Sequence, residues 1–163
     1  MTLAEISRKA NELMNLHGLT QKGWSFKFDH AVRRLGCCKH SQRLITMSRS
    51  LSDLNKDSHT EKLVDTLLHE IAHALTRERY GRGVQVHGWE WKRMCIEIGA
   101  NPERCYDASK IETVQGKYVY VCPNCGQEVN YHKRLTRKRA CSKCCNEYNS
   151  GRYSEEFIFE LVD

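Results

Sequence analysis

The sequence contains no apolar run near the roughly 18 residues that a membrane-spanning helix requires. Its opening stretch, MTLAEISRKANELMNLHG, has Glu5, Arg8, Lys9 and Glu12 where a secretory signal would be apolar. Internal repeats and low-complexity linkers are also missing. These absences exclude a membrane helix and predict a monomeric cytoplasmic protein with no membrane partner, nucleoid-associated in a bacterial or phage setting. Outside a secretory context, nine cysteines do not read as a disulfide framework, and metal binding becomes the better reading. Five of the nine fall between Cys122 and Cys145.

Charge is unevenly spread. The net charge is +6; residues 1–115 hold 18 basic and 14 acidic groups, and residues 116–153 hold 8 basic and 2 acidic ones. The basic density peaks around the cysteines, as expected for a polyanionic partner such as nucleic acid.

Periodicity divides the chain in two. Leu3, Ile6, Ala10, Leu13 and Met14 recur at helical intervals, Thr2 and Glu5 have capping-box spacing, and His17-Gly18 is a stop. WSFKFDH alternates as a half-buried strand does, RLITMS at 43–48 reads as a second strand, and AVRRLGCCKHSQ between them reads as a turn or hairpin connection. HTEKLVDTLLHEIAHALTRERYG predicts a long helix, capped by Ser58 or Thr60 and ended by Gly81 and Gly83. Its row Leu63, Leu67, Ile71 and Leu75 predicts a helix buried in the core. A further helix follows in GWEWKRMCIEIG, and NPERCYD turns out of the first domain. From about 116, KYVYVC, EVNYHK and EEFIFELV read as short strands.

The long helix carries the pattern HEIAH. Residues four apart lie about 40° apart around a helix, so His69 and His73 can present two imidazole nitrogens to one zinc ion. Glu70 stands beside them as a general base for water activated by the metal. A catalytic zinc takes three protein ligands and leaves the fourth position open. The pattern HExxHxxGxxH is excluded, because Thr76 and Arg79 occupy its last two fixed positions. Glu78 lies about 500° around the helix from His73 and points away. His87, fourteen residues after His73 and followed by Gly88, is the favoured third ligand, with Glu90 and Glu97 on the next helix as rivals.

Cys122, Cys125, Cys141 and Cys144 give C-x2-C-x15-C-x2-C, the spacing of a structural zinc site. Cys145 could replace Cys144 with a small shift, although Cys144 preserves the CxxC turn. Cys37, Cys38, Cys95 and Cys105 lack such spacing and read as core or incidental thiols. Between the two pairs, Lys133, Arg134, Arg137, Lys138 and Arg139 are candidate phosphate contacts, and Tyr131 or His132 could stack on an unpaired base. No recognition-helix motif is present, so binding would be indifferent to sequence and would suit single-stranded DNA.

WSFKFDHAVRRLGCC, LITMSRSL, DTLLHEIAHAL and VHGWEWKRMC, in this order, resemble the SprT-like metalloprotease family, which includes bacterial SprT proteins and the protease domain of Spartan. The resemblance runs over roughly residues 3–162, and HEIAH followed by H-G-x-x-W is its most specific part. It implies a catalytic zinc on His69, His73 and His87, catalysis by Glu70, and cleavage of proteins bound or crosslinked to DNA, with DNA stimulating the activity. Bacterial members often carry a C-terminal zinc ribbon, which agrees with the cysteine spacing. The expected architecture is α+β: a zincin-like helical metalloprotease domain with a small sheet over residues 1–115, then a β-rich zinc ribbon over 116–163, with two zinc ions in all. The competing reading is a non-enzymatic nucleic-acid-binding or regulatory protein with a structural or vestigial HExxH site. Such a site has no need of Glu70.

Overall fold

The computed structural model describes residues 1–103 and 112–162, which form two compact units, Met1–Val114 and Gln115–Asp163. Cys105 and the second half of NPERCYD lie outside the described residues. The architecture is mixed α and β.

The first unit begins with α1 (Leu3–Leu16), held at its start by the expected reciprocal cap. The Glu5 amide donates to Thr2 Oγ1 at 3.2 Å and the Thr2 amide to Glu5 Oε2 at 2.7 Å. Three strands follow: β1 (Ser25–Asp29), β2 (Gly36–Lys39) and β3 (Leu44–Ser48). They form one sheet in the order β1-β3-β2, with β1 parallel to β3 and β2 antiparallel to it at the edge. The stretch expected as a turn thus contains a strand. All four residues of GCCK are half-buried, so β2 lacks the alternation that exposes a strand in sequence.

Ser48 ends β3 and caps α2 (Arg49–Asn55), accepting from the Leu51 amide at 3.1 Å. The long helix α3 (Thr60–Tyr80) departs from expectation at its start. Its N-cap is His59, with no side-chain cap bond. The two expected caps are engaged elsewhere: Ser58 Oγ donates to Glu112 Oε1 at 3.3 Å, and Thr60 Oγ1 to the Lys56 carbonyl at 2.7 Å. At the other end Gly81, with φ 76°, closes the helix as expected.

Helix α3 lies between two apolar clusters. One face packs Leu63, Leu67, Ile71 and Ala74 with Ile6, Ala10 and Met14 of α1 and with Ile45 and Met47 of β3. The other places Ala72 with Trp91, Met94 and Cys95 of α4 (Trp89–Ile98). A helix covered on both sides has little freedom to shift, and the two histidines it carries inherit that rigidity.

In the second unit, β4 (Tyr118–Val121) pairs antiparallel with β5 (Glu128–Tyr131) and β6 (Glu160–Val162), giving the order β5-β4-β6. The ribbon is not built of strands alone, because SKCCNEY forms the short helix α5 (Ser142–Tyr148). Its core gathers Cys122, Cys141, Cys144, Cys145 and Phe157. Seven residues are too few to display a helical period, which hides α5 in the sequence. Among the described residues, no helix is long and apolar enough to cross a membrane.

Candidate metal centres and active site

One helical turn separates His69 from His73, so both rings project from the same side of α3. The loop after Gly81 brings His87 back to them, and Gly88 then starts α4. The three Nε2 atoms form a near-equilateral triangle: His69 to His73 3.2 Å, His73 to His87 3.1 Å and His87 to His69 3.3 Å. Hydrogen bonding cannot account for the whole triangle. A neutral imidazole Nε2 is either a donor or an acceptor, so at least one of three mutual pairs must be alike. A tetrahedral zinc with ligands at about 2.0–2.1 Å sets its nitrogens about 3.3–3.4 Å apart, close to what is seen. The three residues fit a metal ion.

The electrostatics agree. Burial, followed by the neighbouring His69, His87 and His40 charges, pushes the His73 imidazole down to about 3. Burial and then His87 also lower His69. Both rings are therefore neutral at pH 7, the form in which imidazole binds a metal. Trp91, fully buried, lies beneath all three, with ring centroids 4.8, 5.3 and 4.7 Å from His69, His73 and His87. It is the final residue of H-G-x-x-W and fixes the ring orientations. The sequence contains the motif but no hint of that role.

Glu70 is only 8% exposed and leans toward β2. Burial raises its carboxyl to about 7, against the Cys38 amide, which donates to it, and the Arg34 charge. Arg34 is in turn held by Asp29 at 2.6 Å. The space for Glu70 exists because residue 36 is glycine. A Cβ there would lie 2.7 Å from Thr66 Cγ2 and 2.9 Å from both Cγ and Oε1 of Glu70. Gly36→Ala is therefore expected to displace Glu70 and to cost about 1–3 kcal/mol by overpacking. Thermal unfolding checks this, and an unchanged midpoint would show that β2 can yield.

Two of the three other carboxylates considered are engaged elsewhere. Glu78 accepts from Trp24 Nε1 at 2.9 Å, and Glu97 is held by Arg79 at 2.6 Å and Arg93 at 3.1 Å. Among the described residues, two sets of side chains converge closely enough to share one ion: His69, His73 and His87, and Cys122, Cys125, Cys141 and Cys144. Glu90 belongs to neither.

In the cysteine set, Cys122 Sγ lies 3.7 Å from Cys144 Sγ, and Cys125 Sγ lies 3.8 Å from Cys141 Sγ. These separations are nearly twice a disulfide bond and match the roughly 3.8 Å of thiolates on a tetrahedral zinc. Asn124 donates to Cys144 Sγ at 3.4 Å. Cys145 packs in the unit's core with Phe157 and stays outside the cluster. Among the other thiols, Cys95 is buried while Cys37 and Cys38 are half-buried in β2. Lys133, Arg134, Arg137, Lys138 and Arg139 are all exposed between β5 and Cys141. Arg134 lies over the Tyr118 ring and Arg139 over the Tyr131 ring, each 5.6 Å from the centroid, and Lys138 faces Glu155 at 3.9 Å. Tyr131 and His132, the two candidate stacking residues, are both half-buried, and Tyr131 packs edge-on against Tyr120.

The sequence profile of the SprT-like family matches residues 3–113, nearly the whole first unit. The chain belongs to the SprT-like family. Among curated SprT-like relatives, Protein SprT of Pseudomonas putida (strain W619) is 29% identical over 99 residues, covering 56% of this chain and 60% of that protein. Protein SprT of Vibrio atlanticus (strain LGP32) is 29% identical over 103 residues, 61% of this chain and 60% of that protein. Protein SprT of Glaesserella parasuis serovar 5 (strain SH0165) is 27% identical over 142 residues, 83% and 86% of the two chains. The chain spans about three fifths of the length of the Pseudomonas SprT relatives it matches.

Proposed function

We propose that this SprT-like chain is a zinc metalloendopeptidase acting on proteins bound or crosslinked to DNA. The observation that carries the reading is the triangle of Nε2 atoms with Glu70 buried next to it. Its spacing suits three ligands on one ion, and no fourth His, Cys, Asp or Glu joins the set among the described residues. A fourth position left to solvent or substrate distinguishes catalytic from structural zinc. When bound, the ion supplies Lewis-acid polarisation of the scissile carbonyl and acidifies water.

The remaining chemistry belongs to the chain. His69 and His73 enter as neutral rings, and Trp91 packs against all three imidazoles. Glu70 takes a proton from the attacking water and returns it to the leaving amine. Its carboxyl, raised by burial to about 7, is matched to both steps near neutral pH, and the Cys38 amide keeps it oriented. The four cysteines would hold a second, structural zinc. The five exposed cations nearby would bind phosphates without reading sequence, which suits single-stranded DNA.

The test is digestion of a DNA-bound protein by zinc-loaded enzyme, with and without single-stranded DNA and with a chelator. Cleavage that DNA stimulates and the chelator abolishes is expected. An intact substrate with zinc present would point to the non-enzymatic alternative.

A further inference from the structure

A cavity of about 440 Å³ lies between the 3-10 turn preceding β3 and the C-terminal turn of α3. Arg43, Arg77 and Arg82 line it against a single carboxylate, Glu78. That carboxylate is already engaged, by Trp24 Nε1 at 2.9 Å, Lys22 at 3.7 Å and Arg43 at 3.8 Å. Among the described residues, Arg77 and Arg82 make no ion pair or side-chain hydrogen bond, and Arg77 is half-buried. Arg82 is exposed, and a half-buried arginine beside it with no side-chain partner among the described residues favours an incoming anion.

A smaller hollow of about 160 Å³ adjoins this cavity and reaches one imidazole of the centre, His73. It is lined by His73, Val84 and Val86, and it shares His40 and Arg77 with the basic cavity. The His40 and His73 ring centroids are 6.5 Å apart. A chain crossing the centre would thus meet a partly apolar pocket and then a basic one.

We propose that the basic cavity binds an anionic group of the substrate polypeptide: an Asp or Glu side chain, or a terminal carboxylate. The anion would sit within a few residues of the bond at the centre, since His40, which lines the cavity, lies 6.5 Å from His73 and an extended residue spans about 3.3–3.6 Å. The inference rests on the protease reading and adds a specificity to it. Continuity with the centre favours a polypeptide over nucleic acid, as does the lack of any Phe, Tyr or Trp in the lining to stack a base. The planar fork of Arg77 or Arg82 matches a carboxylate through paired hydrogen bonds. Arg82 sits between Gly81 and Gly83 on the loop that delivers His87, so an anion bound there would also steady that loop.

The test uses peptides with one Glu stepped through three positions on each side of the scissile bond, each paired with its Gln isostere. Binding is read by fluorescence anisotropy on zinc-loaded Glu70→Gln protein, and cleavage as kcat/KM on the wild type. One or two adjacent registers should favour Glu over Gln by about tenfold, the scale of one charge-assisted hydrogen bond. Arg77→Gln combined with Arg82→Gln should bring the ratio to about one, while the paired Lys variants keep part of it. A ratio taken within one protein cancels any general loss of binding or turnover. No preference in any register, or one that survives the Gln pair, overturns the proposal. So does a Gln pair that weakens oligothymidylate binding while the peptide ratio stands, since the cavity would then serve phosphate. Discrimination in binding without wild-type cleavage would remove the protease reading and leave the subsite. Cleavage without discrimination would do the reverse.

Discussion

Glu70→Gln is expected to lower peptide cleavage by about 10²–10⁴-fold, the range supplied by a positioned general acid–base group. It should also make the metal-free protein more stable above pH 7. The Glu70 carboxyl keeps its proton up to about 7 when folded and releases it near its ordinary 4.5 when unfolded. Between these values the folded state binds more protons, so this group's contribution falls as pH rises and levels off above 7. The cost is bounded at about 3 kcal/mol, and the variant does not incur it. His73, pushed down to about 3, gives the opposite slope between about 3 and 6.5, but it does so in both proteins and cancels in the difference. Denaturant unfolding in chelator at pH 5 and pH 8 measures the effect. Trp24, Trp89 and Trp91 all lie in the first unit, so tryptophan fluorescence reports on that unit alone. Equal stabilities at pH 8 would mean that Glu70 carries no burial cost. Undiminished cleavage would remove it from the mechanism.

Cys144→Ser is expected to release one zinc per chain and unfold residues 115–162, whereas Cys145→Ser should keep both. The second unit spans Gln115–Asp163, and its buried cluster consists of four cysteines and Phe157. So small a core offsets little of the entropy of ordering the chain, and a bound ion would supply much of the difference. Structural zinc in small modules contributes about 10–16 kcal/mol at neutral pH, so losing one ligand removes more than the unit's whole stability. Cys145, buried in that cluster but not one of the four thiols that converge for a metal, should cost only about 1–3 kcal/mol when a hydroxyl replaces its thiol. Metal content and the amide spectrum of the second unit separate the variants. A folded unit in Cys144→Ser would show that Cys145 can take its place.

What could be read from the sequence follows from the range of each signal. The cap of α1, the apolar row of α3 and the CxxC pairs are local patterns, each complete within a few turns of chain. His87 was reachable because the thirteen residues separating it from His73 include the glycines of a returning loop. Strand β2 was hidden because its half-buried residues do not alternate and helix α5 by its shortness, and the expected caps of α3 were lost to partners that sequence does not reveal. The roles of Trp91, Gly36 and Arg34 could not be read at all. Trp91 acts through three rings set by tertiary packing, Gly36 through a side chain 34 positions away, and Arg34 through a charge on that same side chain.

The clamping of α3 between two apolar clusters gives the histidine centre a mechanical asymmetry. His69 and His73 sit on a beam that bends only if a core opens, while His87 rides on a tether bounded by Gly81 and Gly88. An ion held by all three would enter and leave by way of the tether, with the beam keeping its two nitrogens aligned throughout. Loading would therefore leave the helix as it is, and any adjustment would fall on the loop.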